Sequence, residues 1–251
     1  MINMIMHGCS GAMGRTITDI VSKQEDITIV AGIDKNTAVS RSYPVYASLE
    51  ECREEADVIV DFASAAAVDH LLDYCGARSM PVVLCTTGLS PEQIQKVEET
   101  SKKTAILRSA NMSLGINLLL KLVKEAASAL AAADFDIEIV EKHHNQKLDA
   151  PSGTALALAD SVNDSLEGRY HYQYDRSARH EKRDKKEIGI SAVRGGSIVG
   201  EHDVIFAGRD EVITFSHTAY SKAIFAKGAI QAAKFLAGKP AGLYNMADVI
   251  G

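Results

Sequence analysis

The chain has no uncharged apolar run approaching the ~18 residues that span a bilayer, so no membrane-spanning helix and no membrane partner are expected. It has no Cys-x-x-Cys pair. Its four cysteines, Cys9, Cys52, Cys75 and Cys85, are scattered without a partnering histidine cluster. Neither a zinc site nor a disulfide framework is predicted, no metal is expected, and a reducing cytoplasm is the expected compartment. The apolar run at 2–6 is far too short for the core of a signal peptide. There is no excess of positive charge either: 27 basic residues face 33 acidic ones, for a net charge of −6. That argues against a general polyanion binder, and no nucleic-acid partner is expected. A small anionic ligand needs only a few local positive groups and stays open. Internal repeats and low-complexity linkers are absent.

What is present is an ordinary globular composition. The 251 residues are 46% hydrophobic and 24% charged, enough for one large or two modest domains with real cores. Up to about residue 110, short β-branched runs at 2–6, 27–33, 58–61, 82–85 and 105–108 alternate with amphipathic stretches at 13–23, 65–76 and 90–103. The last stretch opens Ser90-Pro91-Glu92, an N-cap followed by proline at the first helical position. This βαβ rhythm predicts a mostly parallel sheet.

Beyond Asn111 the rhythm changes. A helix at 114–132, a strand at 136–141 and a helix at 153–167 precede a charged stretch at 169–187, whose mixed signs favour a solvated loop. Strands at 188–194, 199–207 and 211–219 follow with no helix between them, predicting an open, largely antiparallel arrangement. A helix at 221–237 ends in a Gly-Lys-Pro stop. The expected fold is α/β. A Rossmann-like dinucleotide-binding domain covers residues 1–112 plus 222–251, and a second α+β domain on an open mixed sheet covers 113–221.

The string His7-Gly8-Cys9-Ser10-Gly11-Ala12-Met13-Gly14 joins the first strand to the first helix. Glycines there permit a tight turn and close approach of a pyrophosphate to the helix N-terminus. Asp34 lies 20 residues beyond Gly14 at the end of the second strand, where a carboxylate can accept hydrogen bonds from ribose hydroxyls. Candidate cofactor residues are therefore Gly8, Cys9, Ser10, Gly11, Ala12, Met13, Gly14 and Asp34. Lys35 is added as a possible partner for a 2′-phosphate. Cys85, Thr86 and Thr87, with Ser109, Ala110, Asn111 and Met112, lie at the ends of later strands, where ligands bind in open α/β sheets. Taken alone, either segment is equally an ordinary loop.

The most informative segment runs Glu141-Lys142-His143-His144-Asn145-Gln146-Lys147-Leu148-Asp149-Ala150-Pro151-Ser152-Gly153-Thr154-Ala155. Ser152 is a plausible N-cap, and the amides after it, with the helix dipole and Lys147, form a local anion site. Histidine adds a group that exchanges protons near neutral pH. Adjacent histidines in a polar loop are also commonly just solvated, and their spacing fits no metal pattern.

This string is similar to the signature of the 4-hydroxy-tetrahydrodipicolinate reductases (dihydrodipicolinate reductases). The resemblance extends over nearly the whole chain, through Gly8 to Gly14, Asp61-Phe62-Ala63-Ser64, Thr86-Thr87-Gly88, Ser109 to Met112, Val193-Arg194-Gly195-Gly196 and Val199-Gly200-Glu201-His202. It implies reduction of a small cyclic dicarboxylate of the diaminopimelate and lysine pathway with NADH or NADPH, by a homotetramer. By the same resemblance His143 and Lys147 are the catalytic pair, acid/base and proton donor. His144, Lys147, Ser152, Gly153 and Thr154 are the substrate-binding residues. Cys85 stands where many members have glycine. Two rival readings fit the glycine turn equally well: another two-domain NAD(P)-dependent dehydrogenase, including a thiolate-dependent one using Cys85, and a non-enzymatic nucleotide-sensing regulator.

Overall fold

The computed structural model describes all residues, Met1–Gly251. The chain divides into two compact units, Met1–Leu114 with Ala223–Gly251, and Gly115–Lys222.

The first unit begins β1 (Ile2–His7), α1 (Ala12–Val21), β2 (Ile27–Ile33), β3 (Val45–Tyr46) and β4 (Val58–Asp61). It continues with α2 (Ala65–Arg78), β5 (Val82–Leu84), α3 (Pro91–Ser101) and β6 (Ala105–Arg108). In the second unit come α4 (Leu114–Ala132, which starts at the boundary), β7 (Asp136–His143), α5 (Gly153–Ser165), β8 (His171–Gln173), β9 (Glu187–Arg194), β10 (Gly200–Ala207) and β11 (Val212–Ala219). The chain then returns to the first unit with α6 (Ala223–Leu236), β12 (Gly242–Tyr244) and α7 (Met246–Ile250).

Seven parallel strands form the first sheet in the order β12-β6-β5-β4-β1-β2-β3. Strand alternation divides its core between two faces. Met4 and Met6 of β1 join Ile17 and Val21 of α1 and Ala229 and Ile230 of α6 on one face. Ile5 joins Val68, Leu71 and Leu72 of α2 and Val97 of α3 on the other. This is a doubly wound Rossmann-like sheet whose order reverses at β1 and β4, where His7 and Asp61 are register partners. Helix α3 starts as the sequence predicts: Ser90 and Gln93 form a reciprocal capping box with Pro91 at the first turn.

The second sheet has the order β11-β10-β7-β9-β8. It is mixed: β10 is antiparallel to β11 and to β7, while β9 is parallel to β7 and to β8. The expectation of a largely antiparallel run is corrected here, because β7 lies between β9 and β10. Helix α5 carries the chain from β7 to a parallel position, and the turn after β9 then crosses to the far side of β7. The apolar face, with Ile137, Ile139, Ile188, Ile190, Val204 and Phe206, packs against Leu119 and Val123 of α4 and Leu158 and Val162 of α5.

The charged stretch 169–187 is more than a solvated loop. It contains β8, and Arg183 donates to Glu138 at 2.9 Å, Asp136 at 3.1 Å and the carbonyl of Ile137 at 2.8 Å. Arg176 pairs with Glu138 and with the fully buried Glu187. These arginines clamp β7 to β9, and burial is tolerable for Glu187 because it is paired. No helix of the chain is long and apolar enough to cross a membrane.

Candidate active site

In the first unit the loop from β1 to α1 is shaped by backbone crowding. Gly8 has φ +83°, and a Cβ there would lie 2.7 Å from the carbonyl oxygen of Phe62. At Gly14 a Cβ would lie 2.4 Å from the Gly8 oxygen and 2.6 Å from Cys9 Cα. Both positions therefore exclude side chains, and the start of α1 is drawn tightly against the loop. Gly11 is the N-cap and supplies no side-chain hydrogen bond, and the first turn holds no acidic residue. Such an end offers donors and positive potential to an anion. Asp34 follows β2, and its Oδ2 accepts from Ser10 N at 2.9 Å while Oδ1 accepts from Asn36 N at 3.0 Å. A cavity of about 400 Å³ is lined by His7, Gly8, Gly11, Asp34, Lys35 and Phe62, among others. Crowded glycines, a bare helix terminus and a carboxylate at the cavity wall fit the pyrophosphate and ribose of a dinucleotide.

The remaining candidates in this unit separate into those at the surface and those in the core. Lys35 and Ala12 are exposed, and Ser10 and Met13 are half-buried. Cys9 and Met112 are buried core residues, so their side chains cannot line a ligand and only their backbone groups can. A Cβ on Gly32 would meet Cys9 Sγ at 2.6 Å, which shows how closely that thiol is packed. Cys85, Thr86 and Thr87 line a small cavity of about 200 Å³ with Phe62, Ala63 and Ser64. Thr86 Oγ1 donates to the buried Asp61 at 2.6 Å, and His7 Nδ1 lies 2.7 Å from the same carboxylate. Burial, then the charge of Asp61, pushes the Cys85 thiol well above its ordinary range. A thiolate nucleophile is therefore disfavoured at this position. Ser109, Ala110 and Asn111 form the connection from β6 to α4, where the Asn111 side chain accepts from Ser113 N at 2.8 Å. A Cβ on Gly228 would lie 1.6 Å from the Met112 oxygen, so α6 packs directly on that connection.

The second unit holds the histidine–lysine cluster. β7 shows strict alternation, with Ile137, Ile139, Glu141 and His143 all on its buried phase. His143 is thus the last residue of a strand and 8% exposed, instead of part of a polar turn. His143 Nδ1 lies 2.6 Å from Glu141 Oε2. Glu141 is fully buried and receives Arg194 at 2.7 Å on each oxygen, with Ser152 N at 3.0 Å. Burial alone would raise the Glu141 carboxyl, but the hydrogen bonds from Arg194, His143 and Ser152 hold it below its ordinary range. Arg194 also reaches the carbonyl of Asp149 at 2.6 Å, tying the loop before α5 to the strand.

Ser152 caps α5, its Oγ accepting from Ala155 N at 3.1 Å. The same Oγ lies 3.1 Å from Nε2 of the buried His202. This hydroxyl is thus engaged in the interior, where it shapes the start of α5. Gly153 is exposed and Thr154 half-buried in the first turn of α5, and His144 is half-buried after β7. Lys147 Nζ lies 2.8 Å from Asp149 Oδ1. The Asp149 carboxyl is held below its ordinary range by Lys147 first and also by the Gly153 amide. A carboxylate is thus already held by the donors expected to bind one.

The sequence assigned no role to His7 and Asp61, which meet beside the loop of the first unit, or to Glu141, Arg194 and His202, which surround His143 in the second. For Glu141 a signal existed: the buried alternation of β7 runs one period further, through a carboxylate and a histidine. Nothing local marks Arg194 or His202 as their partners.

A Rossmann-like unit with a glycine-rich strand-to-helix loop, together with a unit carrying a buried, carboxylate-paired histidine and a capped helix N-terminus, defines the class of a dinucleotide-dependent oxidoreductase. Family models for the N-terminus and C-terminus of dihydrodipicolinate reductase match residues 2–112 and 115–250. The chain belongs to the dihydrodipicolinate reductase family. It is 54% identical over 250 residues to the 4-hydroxy-tetrahydrodipicolinate reductase of Caldanaerobacter subterraneus subsp. tengcongensis, covering 100% of this chain and 98% of that protein. Its identity to the enzyme of the same name from Clostridium tetani is 50% over 246 residues, covering 98% and 96%. Among solved structures, the dipicolinate-bound dihydrodipicolinate reductase from Paenisporosarcina sp. TG-14 matches with a TM-score of 0.83 at 25% identity, both chains covered completely.

Proposed function

We propose that this chain reduces 4-hydroxy-tetrahydrodipicolinate to tetrahydrodipicolinate, a step of diaminopimelate and lysine biosynthesis, using NADH or NADPH. The observation that carries this reading is the buried His143–Glu141 pair on β7, next in sequence to a loop whose Lys147 and α5 amides already hold a carboxylate. The name shared by the curated relatives supplies the substrate.

The reaction takes up a hydride and a proton and releases water. NADH or NADPH, when bound, supplies the hydride. The chain's own groups manage the proton and the two substrate carboxylates. His143 and Lys147 supply the proton, His143 from its imidazole and Lys147 from its side-chain nitrogen. Gly153 and Thr154 at the start of α5, with His144 and Lys147, hold a carboxylate, and Ser152 keeps the helix end in shape. Gly8 to Gly14, Asp34, Lys35, Thr86, Thr87 and the segment from Ser109 to Asn111 hold the cofactor, with Cys9, Cys85 and Met112 contributing through backbone groups.

A thiolate-dependent dehydrogenase is disfavoured by the raised Cys85 thiol. A nucleotide-sensing regulator would have no use for a buried, charge-paired histidine beside a carboxylate cradle. The open face of the second sheet carries Val140 and Ile205 among Lys142, Glu201 and Asp203, a mixed surface suited to a second copy. On this reading the working form is a cytoplasmic homotetramer. The test is oxidation of NADH or NADPH by purified protein with freshly generated substrate. Absence of turnover with both cofactors would overturn the assignment.

A further inference from the structure

We infer that Glu141 is a positioning residue for His143: it takes the Nδ1 proton and leaves Nε2 as the nitrogen that exchanges protons with substrate. This inference rests on the assignment of His143 to proton transfer.

Glu141 is fully buried, and a buried carboxylate is costly unless paired. Arg194 and the Ser152 amide are obligatory donors, so both Glu141 oxygens act as acceptors toward them. Oε2, shared between Arg194 and His143 at 2.7 and 2.6 Å, accepts from Nδ1 as well. A neutral His143 therefore carries its hydrogen on Nδ1 and its lone pair on Nε2, and the charged ring faces a fixed counter-ion. The surroundings keep Nε2 open. It makes no hydrogen bond in the protein, and a Cβ on Gly200 would approach it to 3.1 Å, so glycine there leaves the nitrogen room.

The other charged and titratable groups around the ring come from β9, β10, β11 and the loop after β7. Arg194 of β9 reaches the ring only through Glu141. From β10, His202 presents its ring edge-on at 5.1 Å, and burial followed by the charge of His143 pushes its pKa down to about 4. Behind it on β11, burial also lowers His217. In the loop, Lys147 is paired with Asp149, and His144 follows His143 directly. Glu141 is thus the one anionic group in contact with the imidazole. Because Arg194 also binds the Asp149 carbonyl, the same carboxylate links the ring to the Lys147 loop.

The experiment has two independent parts. In wild-type protein labelled with ¹⁵N-histidine, with His143→Gln used to assign the signal, neutral His143 should be the Nδ1-protonated tautomer. An Nε2-protonated tautomer overturns the inference whether or not any variant folds. Glu141→Gln keeps the shape and an acceptor oxygen but removes the charge. Relative to wild type, kcat should fall about tenfold or more. KM for NADH should change less than about twofold, as expected when an interaction of the chemical step alone is lost. The alkaline limb of the kcat profile should move about one pH unit lower, because a protonated imidazole facing residue 141 has lost its counter-ion. A folded Glu141→Gln protein with a wild-type kcat and pH profile overturns the inference and reduces the Glu141–Arg194 pair to a structural clamp. Failure of wild-type protein to turn over substrate would instead overturn the proposed function, and the tautomer measurement would still be decided.

Discussion

The rings of His202 and His143 meet edge to face, with centroids 5.1 Å apart and an interplanar angle of 75°. Two imidazoles this close cannot readily both be charged, and burial settles which one stays neutral. His202 is 4% exposed, its Nδ1 has no hydrogen-bond partner, and its pKa is pushed from 6.5 down to about 4. The unfolded chain therefore binds a proton at this histidine below about pH 6.5, while the folded chain does not until about pH 4. Stability from this group is fully present above pH 6.5 and falls as the pH drops, by roughly 3 kcal/mol in all. Denaturant unfolding should show wild type losing about 2 kcal/mol more than His202→Gln between about pH 7.5 and pH 5. Parallel pH dependences for the two proteins would remove His202 from this role.

A second expectation concerns the proton donors. A positioned acid within hydrogen-bond reach contributes ~10²–10⁴-fold. His143→Ala and Lys147→Ala should each lower kcat within that range, with NADH affinity measured by fluorescence titration almost unchanged. The Lys147 variant should also raise KM for the dicarboxylate, since the proposed function gives its side chain both binding and proton supply. Near-normal kcat in both variants would show that proton delivery comes from elsewhere.

The first sheet was legible in the sequence because parallel strands buried on both faces read as short β-branched runs between capped helices. Its short outer strands, β3 and β12, and the short α7 are too brief to carry a periodic signal. The second sheet was harder, since chain order says nothing of β7 lying between β9 and β10. The mixed-sign stretch concealed Arg176 and Arg183, whose partner Glu138 lies 38 and 45 residues away. At the candidate site, the motif from Glu141 to Ala155 marked candidate groups for proton exchange and anion binding. It did not show what holds those groups. Arg194 is 53 residues from Glu141, and His202 is 50 from Ser152. Such contacts exist only once the sheet has formed. Cys9 and Met112 show the reverse limit: a motif marks a candidate binding segment without telling which of its side chains turn into the core.

The helix end of α5 should accept a planar dicarboxylate. Asp149 shows the donors at work, since its carboxylate pairs with Lys147 at 2.8 Å and is further stabilised by the Gly153 amide. Dipicolinate, bound by the Paenisporosarcina relative, presents two carboxylates in one plane. It should inhibit competitively with the dicarboxylate substrate, and Asp149→Asn should bind it more tightly by removing the internal competitor. Inhibition purely competitive with NADH would place the anion site wrongly.

Gly14 offers a test in which two effects oppose each other. Alanine is the better helix former by about 1 kcal/mol, so in open space Gly14→Ala would stabilise α1. Here the new Cβ would lie 2.4 Å from the Gly8 oxygen and 2.6 Å from Cys9 Cα, backbone atoms that cannot yield as a flexible side chain would. Overpacking costs about 1–3 kcal/mol and should prevail. The variant should melt earlier than wild type and bind NADH at least about tenfold more weakly, because the amides at the loop no longer converge. A higher Tm with unchanged NADH affinity would show that the loop has slack.

Cofactor choice turns on neighbours of opposite charge. Asp34 favours NADH, since its carboxylate repels a 2′-phosphate and can accept from free ribose hydroxyls. Two of its lone pairs are already engaged by the amides of Ser10 and Asn36, which fixes its orientation toward the loop. Lys35 follows it at the surface and lines the same cavity. An exposed ion pair changes affinity by about fivefold or less, because solvent screens it. The two terms are therefore of similar size, and both cofactors should be used, with a preference below roughly a hundredfold. Lys35→Ala should lose a few-fold in NADPH affinity, more at low salt, where screening is weaker, and should bind NADH as before. Titrating both cofactors at two ionic strengths reads this directly. Equal losses for NADH and NADPH would show that Lys35 supports the loop as a whole and does not address the 2′-phosphate.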